Sequence, residues 1–342
     1  MDSSPTLSRL AAVLGMGKST VQRALTGGPG CSSKTRERVV AMADKLGYRP
    51  DPVFATMGSR RRRKPVDEVP LAYLESYGPG ESRAGGPYFE PTRKRAIQLG
   101  YRLERFNLQE WEGAKDLWGV LYARGFAGVI LGWMRSGHLP MLLRNETFPV
   151  VCCGRTDTFP FNTVRPAIIS GIRMAWRELL ALGYRRIGAA ICRHEPEVDD
   201  DFARHAAALA CLAEFHTRAE FLPPLRAPFQ DDEAFKKWVL KHNPEVVLGF
   251  SMRHYFALEQ AGFRIPQDIG FVSPHGGTGP GEIPRQISCL CQRPTLIAEA
   301  AVNLMDQMIR HGERGRTENP LTIAVQPVWV AGDTLRKAAE LR

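Results

Sequence analysis

Four polar side chains near the amino terminus have the types and spacing needed to recognise nucleic-acid bases. Lys18, Ser19, Gln22 and Arg23 lie within six consecutive positions. On a helix, residues four apart lie on the same face. Lysine and arginine can donate to O6 and N7 of guanine, and glutamine can pair with adenine. The pattern therefore predicts direct base recognition in the major groove of DNA.

Three short helices are predicted to position these side chains. Their expected ranges are Thr6–Leu14, Lys18–Leu25, and a third helix that is capped by Ser32 and ends near Leu46. Each has apolar residues at helical spacing, and glycines separate the first two. A helix, a glycine-containing turn and a second helix are typical of a helix-turn-helix domain, whose second helix enters the major groove. A purely structural three-helix bundle would show the same periodicity.

A second set of residues is predicted to hold phosphate oxygens. Hydroxyl groups, backbone N–H groups and arginine at helix starts suit this role. The predicted phosphate contacts are Thr6, Thr20, Ser32, Thr35, Arg36 and, just after the third helix, Tyr48. Such contacts fix the position of a protein on DNA without reading its sequence.

The positive charge of the chain is concentrated near its amino terminus. Residues 1–64 contain 13 Lys and Arg against 4 Asp and Glu, whereas the remaining 278 residues contain 33 against 32. A generally basic protein would spread this excess along its length. A nucleic-acid-binding head on a nearly neutral body has this distribution, which favours DNA binding over a purely structural bundle.

A basic segment follows the predicted helices. A helix-compatible stretch at 53–59 precedes the run Arg60–Lys64. This run is either a solvated linker or a phosphate contact. We favour phosphate contact, because five adjacent cations would otherwise repel one another.

The chain beyond residue 68 alternates between predicted strands and helices. Strands are expected at 70–75, 101–106, 128–132, 149–153, 186–191, 246–250 and 269–273, and helices near 89–99, 111–124, 168–182, 198–215, 231–242, 252–261 and 294–311. This alternation predicts a mostly parallel α/β architecture. About 275 residues is twice the length of one Rossmann-like lobe, so two lobes are expected.

Enzyme and metal sites lack their usual sequence signals. Gly17-Lys18-Ser19 resembles the end of a phosphate-binding loop, but the required earlier glycine is absent and a helix precedes it. No motif frames a nucleophile and a base, so an enzyme is not expected. The seven cysteines have no second spaced Cys or His pair, which favours reduced thiols over zinc or another cofactor. The acidic residues Glu195, Glu197 and Asp199–Asp201 are expected to form a solvated turn rather than a metal site.

The amino terminus and the hydropathy predict a cytoplasmic protein with no membrane partner. Met1–Pro5 is not a basic region followed by an apolar one, and no stretch approaches the length of a membrane span. A periplasmic sugar-binding protein would share the α/β body, but it would need a signal peptide and would lack the basic head.

The first 50 residues resemble the DNA-binding head of the LacI/GalR repressor family. The matching segments are Thr6-Leu7, Leu14-Gly15, Lys18–Val21, Arg23–Leu25, Ser32, Thr35–Val39 and Leu46–Pro50. The remainder resembles the family's sensor more loosely, at Phe148–Val151, Leu182–Ile187 and Gly262–Ile269. The resemblance implies a small all-α helix-turn-helix head plus an α/β two-lobed periplasmic-binding-protein-like (type I) sensor domain.

The resemblance also implies how the domains divide. The implied ranges are 1–47 for the helix-turn-helix domain, 48–66 for a hinge helix and basic linker, and 67–342 for a two-lobed effector-binding and dimerisation domain. Lobe 1 would cover about 67–164 and 293–325, and lobe 2 about 165–292 and 326–342.

A homodimer that binds a pseudo-palindromic operator on double-stranded DNA is the function implied, most often as a repressor. In the family, a hinge helix inserts a leucine into the central minor groove, and Met57 falls at that position here. Phe54 is the second predicted hinge residue, although Phe54, Ala55 and Gly58 depart from the family pattern.

The family binds a sugar or a related small metabolite between its lobes, and the implied effector residues follow predicted strands. They are Tyr88, Phe89, Trp133, Arg155 and His275. The aromatic side chains would stack on a ligand, or they would simply pack in the core. Two polar pairs usual in the family are replaced by Ala167-Ile168 and Phe250-Ser251, which makes ordinary sugar recognition questionable.

Overall fold

The computed structural model describes residues 7–25, 31–46, 69–76, 86–111, 116–133, 139–154, 160–195, 197–228, 230–250, 252–276 and 286–336. Several predicted site residues lie outside these ranges, namely Thr6, Tyr48, Phe54, Met57 and Arg155. The basic run Arg60–Lys64 and the segment at 53–59 also lie outside them.

Three helices form the amino-terminal head, as the sequence predicts. They are α1 (Leu7–Leu14), α2 (Lys18–Leu25) and α3 (Ser33–Lys45). All three contribute to one small core of Leu10, Ala11, Leu14, Val21, Ala24, Val39 and Ala43. Gly15 joins α1 to α2 with a φ of 62°, a conformation that strains residues with a side chain.

A six-stranded sheet forms the first of two α/β lobes, which we call lobe 1. With strands numbered in chain order, it contains β1 (Val69–Glu75), β2 (Tyr101–Asn107), β3 (Gly128–Leu131), β4 (Val150–Cys153), β5 (Asn162–Pro166) and β11 (Thr322–Val325). The spatial order is β11-β5-β4-β3-β1-β2, and every pair is parallel. Buried strands such as β3 are continuous apolar runs, as expected when helices cover both faces.

A second six-stranded sheet forms lobe 2. It contains β6 (Ile187–Arg193), β7 (Leu225–Pro228), β8 (Val246–Gly249), β9 (Gly270–Ser273), β10 (Ser288–Cys291) and β12 (Val328–Val330), in the order β12-β10-β9-β8-β6-β7. The β10–β12 pair is antiparallel and the other pairs are parallel. The mostly parallel α/β architecture is therefore confirmed, while the exact domain limits stay a prediction.

Helices cover both sheets. Those of lobe 1 are α4 (Phe89–Gln98), a 3-10 turn (Leu108–Trp111), α5 (Leu117–Ala123), α6 (Leu139–Leu142) and α11 (Pro294–His311); those of lobe 2 are α7 (Ile168–Ala181), α8 (Asp199–Glu214), α9 (Asp232–His242) and α10 (Met252–Gln260). The lobe 1 core includes Ile297, Ala301 and Met305 of α11. The lobe 2 core includes the fully buried Trp176 of α7. No helix in the described part of the chain is long and apolar enough to cross a membrane.

The predicted helix at 111–124 is the element whose limits change most. Residues 108–111 form a 3-10 turn, and α5 starts at Leu117. Asp116 accepts a hydrogen bond from the N–H of Gly119 at 2.9 Å and so caps α5. The predicted start at 111 is therefore wrong.

A buried histidine in lobe 2 makes the stability of the fold depend on pH. His254 of α10 is 4% exposed, and its ring stacks on Phe235 with centroids 4.3 Å apart. Its Nδ1 has no hydrogen-bond partner. Burial lowers the pKa of His254 to about 4, against a partial opposing effect of Asp232. The ring is therefore neutral in the folded protein at pH 7.

We expect the free energy of unfolding to fall as the pH is lowered from about 6.5 to about 4. In this window the unfolded chain binds a proton at His254 that the folded chain does not, which costs up to about 3 kcal/mol. Urea unfolding at several pH values measures this loss. The variant His254→Leu should show a shallower decline, and parallel curves for the two proteins would contradict the assignment.

Candidate nucleic-acid interface and ligand cleft

Helix α2 presents the predicted base-reading residues on the outer face of the head. Lys18, Ser19 and Arg23 are exposed, and Gln22 is half-buried. Val21 and Ala24, on the opposite face, are buried in the head core. The Nε of Arg23 donates to the carbonyl oxygen of Ser19 at 3.2 Å, which holds the guanidinium along the helix. The four polar side chains therefore lie together on one helix.

The described phosphate candidates cluster at helix starts. Ser32 precedes α3 and accepts a hydrogen bond from the N–H of Thr35 at 3.2 Å, and the two hydroxyl oxygens are 2.8 Å apart. Arg36 is exposed one residue later, and Thr20 is half-buried in the first turn of α2. Ser32 therefore caps the amino terminus of α3.

The aromatic candidates of lobe 1 lie where strands β1, β3 and β4 end. The ring of Phe89 meets that of Tyr73 edge-on at 5.2 Å, and both Tyr88 and Phe89 pack partly buried against the lobe 1 core. The ring of Tyr88 lies against the α-carbon of Gly154, just after β4. Trp133 follows β3 and accepts a hydrogen bond from the N–H of Ser76 through its carbonyl oxygen. Tyr88 and Phe89 therefore pack against the core and also lie at the carboxyl edge of the sheet.

An ion pair that was not predicted lies beside these aromatic side chains. Glu75, at the end of β1, is 4% exposed and pairs with Arg105 of β2. The guanidinium of Arg105 lies over the ring of Phe89 at 5.1 Å. The sequence signal that could have identified this ion pair was a carboxylate at the end of a buried strand.

A cluster of side chains in lobe 2 is built around Phe250, which follows β8. The guanidinium of Arg204 lies 4.5 Å from the centroid of its ring. The rings of His275 and His194 meet it edge-on at 4.5 and 5.5 Å. His275, the one predicted effector residue described in this lobe, is thus part of a cluster whose other members were not predicted.

The prediction of a solvated acidic turn at 195–201 is wrong for Asp201. This residue lies in the first turn of α8, is 1% exposed and pairs with Arg204 one turn later. It also accepts hydrogen bonds from the N–H and the ring of His194, each at 2.8 Å. Burial alone would raise its pKa, but these hydrogen bonds and one from the N–H of Val198 lower the pKa well below its usual range. Asp201 is therefore a buried structural carboxylate.

An ion pair joins the two lobes. Arg165 of β5 lies 3.5 Å from Asp200, at the start of α8. The pKa of Tyr88 is raised by burial, with smaller contributions from Cys153 and Asp200. The ion pair places the carboxyl end of β5 beside the start of α8.

His275 stays neutral at physiological pH. The residue as a whole is exposed, yet desolvation of the ring by the surrounding protein, Arg204 and His194 together lower the pKa of its imidazole to about 3, against a small opposing effect of Gln292. Among the residues that the structure describes, no group of three or more His, Cys, Asp or Glu could hold a metal ion.

Solved structures of transcription regulators share this architecture. The regulator CelR in its cellobiose complex matches with a TM-score of 0.62 and 20% identity, over 96% of this chain and 99% of that one. The Lac repressor dimer bound to operator and the anti-inducer ONPF matches with a TM-score of 0.58 and 18% identity, over 97% and 99%. A LacI-family regulatory protein from Chloroflexus aggregans matches with a TM-score of 0.58 and 16% identity, over 78% and 99%. The chain has the fold of the LacI-type regulators.

The sequence relatives are also named as transcriptional regulators. The HTH-type transcriptional regulator CelR of Thermobifida fusca is 29% identical over 195 residues, which is 54% of this chain and 54% of that protein. An uncharacterized HTH-type transcriptional regulator from the aml 5′ region of Streptomyces limosus is 28% identical over 202 residues, 56% of this chain and 54% of its own length. The chain spans about half the length of these curated relatives. No family model matches it.

Proposed function

We propose that this protein is a transcription regulator that binds a pseudo-palindromic DNA operator as a homodimer. The observation that carries the proposal is the compact three-helix head, whose second helix presents Lys18, Ser19, Gln22 and Arg23. The basic charge of residues 1–64 supports the same assignment. The relatives are named as transcriptional regulators, and we infer that this chain acts as one rather than as an enzyme.

A small metabolite in the cleft between the lobes is proposed to change the affinity for DNA. Tyr88, Phe89 and Trp133 would form the lobe 1 wall, with Arg155, and His275 would contribute from lobe 2. CelR, one of the structural neighbours, was solved with cellobiose, so a sugar is one candidate effector. The domain limits at 47 and 66 and the division into lobes belong to the same proposal.

Selection of binding sites from random duplex DNA tests the proposed function. Full-length protein at a stated salt concentration should recover a pseudo-palindrome with a flexible pyrimidine–purine step at its centre. The symmetry would report the dimer, and the central step would report the hinge. Salt-sensitive binding with no recovered motif would mean that the head does not read sequence.

Replacement of the recognition side chains should weaken binding to the selected operator and relax its specificity. Lys18→Ala and Arg23→Ala should each cost about 1–3 kcal/mol on the correct operator, because each removes a base contact. Quantitative gel-shift titration on the operator and on mismatched sites measures this cost. Lys45→Ala, an exposed cation in the last turn of α3, is the matched control. An equal loss on all sequences would show that Lys18 and Arg23 hold phosphates instead.

A further inference from the structure

The cleft contains a small cavity in its lobe 2 wall that is apolar apart from three nitrogen-bearing side chains. Its apolar lining includes Pro166, Ile168, Ile172, Leu290 and Pro327. Its polar lining consists of Arg204, His275 and Gln292, and no carboxylate lines it. A polyol needs acceptors as well as donors for its hydroxyl groups, and the polar side chains of this wall supply few acceptors.

Arg204 is a buried cation with an incomplete set of acceptors. The residue is 3% exposed, and its Nη2 donates to Asp201. Its Nε is buried and has no hydrogen-bond partner. One flat face of the guanidinium is covered by Phe250. A buried donor without an acceptor is costly, and an anionic ligand group would satisfy it best.

The other two polar side chains of the cavity, Gln292 and His275, are joined by a hydrogen bond that defines their donors and acceptors. The Nε2 of Gln292 donates to the carbonyl oxygen of Pro274 at 3.0 Å, which sets the orientation of the amide. The same Nε2 lies 2.9 Å from Nδ1 of His275, so this ring nitrogen accepts and the neutral ring carries its proton on Nε2. The Nε2–H of His275 is therefore a donor, whereas both N–H groups of Gln292 are used within the protein. The cavity is therefore lined by two nitrogen donors that can pair with an anion, one on Arg204 and one on His275.

We propose that this cavity binds the carboxylate of a small monocarboxylic acid whose apolar body extends into the cleft. The proposal rests on the proposed function, because it names the chemical class of the ligand at the same cleft. The cavity volume is about 20 Å³, which is room for one water-sized group. A carboxylate oxygen fits that space against Arg204, and the apolar lining suits the carbon next to it.

Calorimetric titration of the full-length protein tests the proposal. The probes are sodium benzoate, phenylacetate and hexanoate. Benzamide is the neutral analogue of benzoate, cellobiose is the sugar used for comparison, and sodium chloride matches the ionic strength. We expect saturable binding of at least one carboxylate. We expect benzamide to bind at least about tenfold more weakly than benzoate, because it lacks the charge that Arg204 would pair.

A charge-neutral double variant locates the site. Arg204→Gln with Asp201→Asn removes both buried charges together and should weaken carboxylate binding by at least about tenfold. The matched control is Arg173→Gln, which breaks an exposed ion pair with Glu214 in the same lobe and should leave the affinity unchanged. Circular dichroism verifies that each variant is folded, and the comparison of benzoate with benzamide on the unmodified protein does not depend on any variant.

Three results would overturn the proposal: no binding of any of the three acids, equal binding of benzoate and benzamide, or tighter binding of cellobiose than of every acid. The titration uses no DNA, so its outcome is separate from that of the operator selection. Operator recognition without acid binding would reject the ligand class alone. Acid binding without a selected operator would reject the DNA-binding function alone.

Discussion

Deletion of residues 48–64 is expected to reduce operator affinity to the level of non-specific DNA binding. Specific affinities of DNA-binding proteins typically exceed non-specific ones by about 10³-fold or more, so the effect should be large. The segment contains the proposed minor-groove residue Met57 and the cations Arg60–Lys64. Its loss removes the proposed minor-groove wedge and the proposed phosphate contacts. The deletion also holds the two heads too close to their lobes. The sensor dimer should persist, because the segment precedes β1.

Two substitutions separate the contributions of this segment. A glycine–serine linker of equal length in place of 48–64 keeps the reach of the heads and should still lose specific binding. Glutamine at positions 60–64 should instead lower the dependence of affinity on salt while retaining sequence preference. Gel-shift titration at several salt concentrations measures both, and sedimentation verifies the dimer. Tight, specific binding by the glycine–serine variant would rule out a role for the hinge.

The elements that the sequence predicted well are those whose packing is local or strongly periodic. Helices α1 to α3 are amphipathic and close on a shared core, so their own pattern determines them. Strand β8 is a continuous buried apolar run, and β1 is apolar from Val69 to Leu74. Five short strands were missed, namely β5, β7, β10, β11 and β12. Three of the four residues of β11 are exposed, so its pairing with β5 depends on tertiary context rather than on an apolar pattern.

The candidate cleft was predictable only in part, because its chemistry depends on residues far apart in the sequence. Tyr88 and Trp133 were identified because they follow strands, and the structure places both at the carboxyl edge of lobe 1. The cluster of Arg204, Phe250 and His275 joins three segments that have no common motif. The i, i+3 spacing of Asp201 and Arg204 was a usable signal, since residues three apart share one face of a helix.

Burial of Asp201 also changes what the acidic segment does. Asp200 forms an ion pair with Arg165 of lobe 1, while Asp201 forms one with Arg204. Consecutive residues at the start of α8 therefore make two different contacts, one between the lobes and one with the arginine that lines the cavity.

Removal of the Asp201 carboxylate should destabilise lobe 2 strongly. Asp201→Ala leaves the Arg204 guanidinium buried without its counter-charge, and breaking such a pair typically costs about 3–5 kcal/mol. The N–H groups of His194 and Val198 would also lose their acceptor. The matched control is Asp231→Ala, which removes an exposed carboxylate that caps α9 and should cost only about 1 kcal/mol.

Urea unfolding at pH 7, followed by far-ultraviolet circular dichroism, compares these variants. The double variant Asp201→Asn with Arg204→Gln should recover a large part of the loss, because it leaves no isolated charge in the interior. Recovery would show that the cost of Asp201→Ala comes from the uncompensated guanidinium. If Asp201→Ala costs no more than Asp231→Ala, water or another group compensates Arg204, and the cavity beside it would then have no need of an anionic ligand.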